Sequence, residues 1–407
     1  MTTCRFCGSN IQLSLVNLGS QPPSNSYLSS ADAEEKVFPL HAVVCEDCHL
    51  VQLADEVPPG EIFTEDYAYY SSFSTSWVAH AKAYAEAMIK RFGLSANCKV
   101  VEIASNDGYL LQHFVTAGVP VLGVDPAAGC AEAAREQGVA TEVAFFNADT
   151  AKRLRDEGHS ADLMAANNVL AHVPDIRSFV EGFAILLKDD GVMTVEFPHL
   201  LNLLNLVQFD TIYHEHYSYL SLLAVERIFG ECGLRVFDVE KITTHGGSLR
   251  VFACKATSTV HADQPGLAAM RDTERAAGLD GRAAYEGFDA KCQSVRTGLL
   301  AFLDQAQAEG KTVVGYGAAA KGNTLLNYAD VGADAIDFVC DGNPAKQGKF
   351  LPGSRIPVLS VDHINSAKPD YILILPWNLR AEVSDQLSAV RAWGGKFVVA
   401  VPKIEVW

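Results

Sequence analysis

The sequence predicts an α/β protein: a small cysteine ribbon followed by two Rossmann-like α/β domains. Three observations carry this. Two Cys-x-x-Cys pairs fall within the first fifty residues, apolar strands alternate with amphipathic helices to about residue 255, and the alternation restarts after an Ala-rich charged stretch. A chain of 407 residues is long for one core, so the expected domains are 1–60, 61–255 and 256–407, with the first closing at Pro58-Pro59-Gly60.

In the middle segment, 98–104 reads as a strand, 105–108 as a turn and 109–117 as a helix. Strands follow at 119–124, 162–167 and 191–197, with a helix at 179–187. This order implies a mostly parallel sheet covered on both faces. Segments 234–239 and 248–255 have no helix between them and read as a closing strand pair. Residues 256–311 read as helical. Strands are then expected at 312–317, 336–341, 371–375 and 396–401.

Cys4-x-x-Cys7 and Cys45-x-x-Cys48 supply four soft thiolate ligands on two tight turns, the donor set of a tetrahedral structural zinc. Redox dithiols are the alternative reading. His49 is expected to be a bystander, and the six remaining cysteines read as core residues. Nothing at the start, MTTCRFCGSN, resembles an export signal, so reduced thiols and a cytoplasmic location are expected. A net charge of −17 argues against a general nucleic-acid binder. No apolar run reaches membrane-spanning length.

Val100-Val-Glu-Ile-Ala-Ser-Asn-Asp-Gly108 ends a strand in an acidic, small-residue turn, and Val121-Leu-Gly-Val-Asp125 ends the next strand in a carboxylate. The first loop admits a nucleoside close to the backbone, and the second acid accepts ribose hydroxyls. A Gly-x-Gly-x-x-Gly motif is absent, which disfavours a dinucleotide. S-adenosylmethionine (SAM), with a ribose and a cationic amino-acid tail but no phosphate, suits Glu102, Asp107 and Asp125.

These loops and Ala166-Asn-Asn-Val-Leu-Ala-His172 resemble the three motifs of class I SAM methyltransferases. With the Cys4 ribbon in front, Tyr213-His-Glu-His216 behind and the C-terminal Gly315-Tyr-Gly-Ala-Ala-Ala-Lys-Gly-Asn323, nearly the whole chain resembles the sugar C-methyltransferases of antibiotic deoxysugar pathways. The resemblance implies a class I central domain with SAM on Glu102, Ala104, Asn106, Asp107, Gly108, Asp125 and Asn167. It also implies methyl transfer to the carbon beside the keto group of a dTDP-4-keto-deoxysugar. That chemistry needs a base for the carbon-bound proton and a donor for the enolate oxygen. Carried over by position, His216 is the base, with Tyr213, Glu215 and His172 as site residues; Glu215 either orients the imidazole or binds a sugar hydroxyl. Tyr67 is the N-terminal site tyrosine, with Tyr69 and Tyr70 in competing registers and Tyr70 assigned to substrate. A metal pair at His214 and His216 is the alternative for that motif, and His245 reads as a turn residue.

The 315–323 turn opens a helix beside Lys321 and Asn323. It reads either as a cradle for the diphosphate of the nucleotide-sugar or as a vestigial dinucleotide fold whose glycines only permit tight packing. No Tyr is followed by Lys four residues on, against a short-chain dehydrogenase. The remaining readings are an O- or N-methyltransferase or a non-catalytic binding protein. A monomer or weak homo-oligomer is expected.

Overall fold

The computed structural model describes residues 2–55, 57–58 and 70–407. Its central element is a seven-stranded sheet in the order Leu234–Ile242, Ser248–Lys255, Leu187–Pro198, Ala161–Asn167, Val100–Ile103, Val121–Asp125, Thr141–Val143. Five strands run parallel, and the Ser248–Lys255 strand is antiparallel to both of its neighbours. Val100–Ile103 is buried at every position, as expected for a strand covered on both faces. The helices Ile176–Leu186 and Leu222–Glu231 pack on one face. Thr75–Phe92 packs on the other, begun by a Ser74 side-chain cap and ended by left-handed Gly93.

The chain order reverses between Val100–Ile103 and Ala161–Asn167. The crevice at their carboxyl ends is therefore the place where this architecture binds ligands. The second sheet, Val358–Leu359, Val339–Cys340, Val313–Tyr316, Tyr371–Ile374 and Lys396–Val399 in parallel with antiparallel Glu405–Val406 at one edge, has the same logic. The long helix Phe288–Ala308 packs against it. Pro265–Ala276, although it lies beyond residue 256, buries Leu267 and Met270 in the core of the central sheet.

The N-terminal unit differs from a bare ribbon. Leu13–Gln21, Phe38–Val44 and Val51–Leu53 form an antiparallel sheet, and its edge strand, Ser218–Tyr219, comes from the middle of the chain. Most apolar residues of this sheet join the core of the C-terminal domain, while Cys4, Phe6, Val43, Cys45 and Leu50 join that of the central domain. The N-terminal unit is thus packed against both.

Its cysteines lie on two matching turns. Gly8 N–H donates to the Cys4 carbonyl and His49 N–H to that of Cys45, and Gly8 and His49 are both left-handed. Cys4 and Cys48 sulfurs are 3.5 Å apart, as are those of Cys7 and Cys45, and all four lie within 4.8 Å of one another. A tetrahedral zinc with bonds of about 2.3 Å requires edges of about 3.8 Å, so the donor set fits. Among the described residues this is the sole group of three or more such side chains whose ligand atoms lie close enough to share one metal ion. No described helix is long and apolar enough to cross a membrane.

Elemental analysis should find about one zinc per chain. Cys45→Ser should lower the thermal stability of the N-terminal unit and release the metal to a chelator. A fully folded, metal-free wild-type protein would contradict this.

Candidate functional site

The cofactor crevice is built on an unusual backbone. Ala104, Asn106 and Gly108 are all left-handed, alternating with Ser105 and Asp107. Two of the three carry a Cβ, a cost that surrounding structure must offset. The offset is visible: Ala104 N–H donates to the Val124 carbonyl and Asn106 N–H to Asp125 Oδ2, both at 2.8 Å. Position 123 lacks a side chain because a Cβ there would run into Ser105 Oγ and come within 3.0 Å of Thr141 Oγ1. Ser71 and Ser72 lie over the loop, their N–H groups donating to Asn106 Oδ1 and Asp107 Oδ2.

Glu102, Asp107 and Asp125 bring three buried carboxylates together. Burial raises Glu102 well above the ordinary range, and the charges of Asp125 and Asp107 push it further. Burial also raises Asp125, against its bonds from Ala127 and Asn106. Glu102 Oε2, Asp107 Oδ1 and both side-chain polar atoms of Asn167 have no partner among the described residues. Unpaired buried acceptors under mutual repulsion fit a ligand that brings a positive charge and hydroxyl donors. SAM meets both requirements.

Across the crevice stands the motif from Tyr213 to Tyr217. The carbonyl of Thr211 accepts from His216 Nδ1 at 2.8 Å, which places the proton of neutral His216 on Nδ1 and leaves Nε2 as the lone-pair nitrogen. The Tyr213 ring lies 4.0 Å from the His216 ring, and His172 lies 4.6 Å away at a steep angle. Burial holds His216 well below its usual range, helped by the positive charges His172, His245 and Lys321 carry when protonated. Burial lowers His172 to about 4, against a hydrogen bond to the Glu215 backbone. His172, His216 and Lys321 are deep-set but not sealed from solvent.

Glu215 does not orient the imidazole. Its Oε1 accepts from Asn25 Nδ2 at 2.5 Å, and burial pushes it up to about 7. His214 turns away to the Phe38 carbonyl, so it forms no metal pair with His216. Tyr70 sits on the cofactor side, with its hydroxyl beside Gly129. Tyr67 and Tyr69 lie outside the described residues.

Of the C-terminal residues, Lys321 reaches the crevice and is felt by His216 and His245. Asn323 does not: it is fully buried and donates to the Ser24 carbonyl at 2.6 Å, clamping the loop after residue 21. Left-handed Gly317 packs against Pro376, and the N–H of Ala318 is taken by Asp341 Oδ2. Tyr27 and Lys346 both donate to the Ala318 carbonyl. This geometry is that of close packing, with an acidic residue where an anion cradle needs free N–H groups.

Several residues of the crevice escaped sequence reasoning. Tyr27 and Asn25 face Glu215 from a Pro-rich loop nearly two hundred residues away. Glu196, ending its strand beside Asn167, is paired with His80 at 2.9 Å and Arg250 at 2.6 Å. Trp77 stacks on His80 and meets His245 edge-on. His245 is indeed a turn residue, but its ring faces this wall.

Comparison with known proteins identifies the family of the chain. Family models match a zinc binding domain over residues 4–63, a methyltransferase domain over 77–239 and a C-methyltransferase C-terminal domain over 243–402. The C-methyltransferase NovU of Streptomyces niveus is 38% identical over 405 residues, 99% of this chain and 96% of that protein. A ubiquinone biosynthesis O-methyltransferase of Chelativorans sp. (strain BNC1) is 33% identical, over only 24% of this chain and 39% of its own length. Among solved structures, magnesium protoporphyrin IX methyltransferase from Synechocystis PCC 6803 covers 44% of this chain and 83% of its own at 15% identity and a TM-score of 0.36, too distant to carry an argument.

Asp125→Ala should weaken SAM binding by about 1.5–3 kcal/mol, the worth of a charged hydrogen-bond partner. Because Glu102 and Asp125 are raised in the free protein, affinity for the cation should begin to fall at a higher pH than ordinary carboxylates titrate. Calorimetry across pH checks both. Unchanged affinity in a folded Asp125→Ala variant would remove Asp125 from the site.

Proposed function

Because this chain belongs to the family of SAM-dependent C-methyltransferases with an N-terminal zinc-binding domain, we propose that it methylates the carbon beside the keto group of a nucleotide-linked 4-keto-deoxysugar, with a dTDP-sugar as the first candidate. The observation that carries this reading is the His216 imidazole, kept neutral by burial, its proton fixed on Nδ1 by the bond to Thr211 so that Nε2 is the lone-pair nitrogen, and flanked by Tyr213 and His172. Methylating an oxygen or nitrogen needs at most one base, whereas a carbon acid needs a base and a donor for the oxygen that gains charge.

SAM supplies an electrophilic methyl group on a sulfonium. The chain's own residues do the rest. His216 Nε2 takes the α-proton. Tyr213 donates to the forming enolate oxygen, and His172, neutral and with its N–H turned to the Glu215 backbone, is a second polar contact beside the reacting sugar. Glu215, held by Asn25, binds a sugar hydroxyl. Lys321, seated on Trp377, adds positive charge beside the base. By analogy with the family Tyr67 is the tyrosine of the substrate side, whereas Tyr70, expected at the substrate, lies on the cofactor side beside Gly129.

His216→Asn should reduce methyl transfer on the order of 10²–10⁴-fold while SAM affinity changes little. The pH profile has a defined sign. Protonation removes the base, and His216 is depressed, so wild-type activity should persist as pH falls through about 6.5 and fail only well below it. Burial pushes Glu215 up to about 7, so any smaller step in that region should vanish in Glu215→Gln while the lower limb set by His216 stays in place. Tyr213→Phe should lower kcat more than it raises KM. Normal turnover by His216→Asn would move the base to another residue.

A further inference from the structure

The C-terminal domain reaches the base by a route separate from substrate binding. Asp210 is fully buried in the short turn Phe209–Thr211, next to the residue whose carbonyl accepts from His216. Its Oδ2 accepts a 2.6 Å hydrogen bond from Trp377 Nε1, which comes from the loop after the C-terminal strand Tyr371–Ile374. The Lys321 ammonium lies 4.7 Å over the Trp377 ring and donates to Asn378 Oδ1 at 2.8 Å. The other edge of the indole abuts the His245 turn, where a Cβ on Gly246 would come within 2.5 Å of the ring. Thr324, on the helix opened by Lys321, donates to the Ile212 carbonyl at 3.1 Å.

We infer that Trp377 and Asp210 are positioning residues for His216, fixing the turn whose Thr211 carbonyl orients the imidazole, and that Lys321, seated on Trp377, completes the charge environment of the base. The inference rests on His216 being the base, as proposed above. The wedge makes one rigid body of three segments: the acceptor turn, the His245 turn and the start of the Lys321 helix. A carbonyl displaced by even a fraction of an ångström swings the imidazole off its line to the α-carbon, and such misplacement is costly to a proton transfer. The titratable and charged groups facing His216 are His172, His245 and Lys321, with the phenols of Tyr213 and Tyr219 alongside. All three of the basic groups oppose its protonation. Asp210 partly balances Lys321: burial raises Asp210 to about 6, against the pull of the lysine.

The test uses the full-length, zinc-loaded protein with its histidines labelled with ¹⁵N, the His216 signals being assigned by their loss in His216→Asn. Trp377→Phe keeps a ring beneath Lys321 but removes the donor to Asp210. It should reduce the Nδ1–H tautomer of His216 and lower kcat roughly tenfold with KM within about twofold. Lys321→Met should raise the His216 titration midpoint by about half a unit or more, because a like charge is gone. Asp210→Asn, nearly isosteric, should lower that midpoint, since it leaves Lys321 unbalanced. Wild-type tautomer and midpoint in all three folded variants would overturn the inference. Should the spectra shift as stated while His216→Asn turns over normally, the base assignment fails and the coupling between domains stands.

Discussion

The hydrogen bond from His216 Nδ1 to the Thr211 carbonyl decides what the crevice can do. An imidazole has two nitrogens, and a base needs the right one free. A backbone carbonyl can only accept, so it fixes the tautomer without adding a titrating partner. That carbonyl must itself be immobile, and much of the architecture serves this. Upstream, Asp210 is tied to Trp377 of the C-terminal domain. Downstream, Ser218–Tyr219 joins the N-terminal sheet and Tyr217 donates to the Val57 carbonyl. The segment from Asp210 to Tyr219 is thus a strap anchored at both ends, in different domains.

The cysteine cluster is connected to this strap through the N-terminal sheet. The turn Cys45–Cys48 joins the strands Phe38–Val44 and Val51–Leu53, the second of which accepts Ser218–Tyr219. Arg227, on the helix Leu222–Glu231, bonds to the carbonyl of Asp47, between the second pair of cysteines. A four-sulfur donor set has no open position for substrate, so the metal it fits is structural.

Much of the central sheet was legible because its strands are apolar runs separated by short polar turns, and each expected strand there falls within a residue or a few of its place. The acidic loop ends were legible because a Glu102 or Asp125 at the end of a buried strand has few purposes. In the C-terminal domain the pattern overstated: 336–341 pairs only over Val339–Cys340, since its flanks leave the sheet. Contacts between distant segments were not legible. Nothing in the sequence near Asn25 announces Glu215, and no pattern reports that a carbonyl, Thr211, would orient His216 in place of the neighbouring carboxylate. Asn323 illustrates the reverse: next to Lys321 in sequence, it turns inward as a structural clamp because the helix puts the two on different faces.

The central claim is that the crevice makes an enolate before any methyl group moves. It is tested most directly by incubating the wild-type protein with a dTDP-4-keto-deoxysugar in deuterium oxide, with S-adenosylhomocysteine in place of SAM, and following the α-carbon proton by NMR. The account predicts that deuterium enters at that carbon, catalysed by the protein and without methylation. Methyl transfer to the same sugar when SAM is supplied, with no exchange above the uncatalysed rate when it is not, would contradict it.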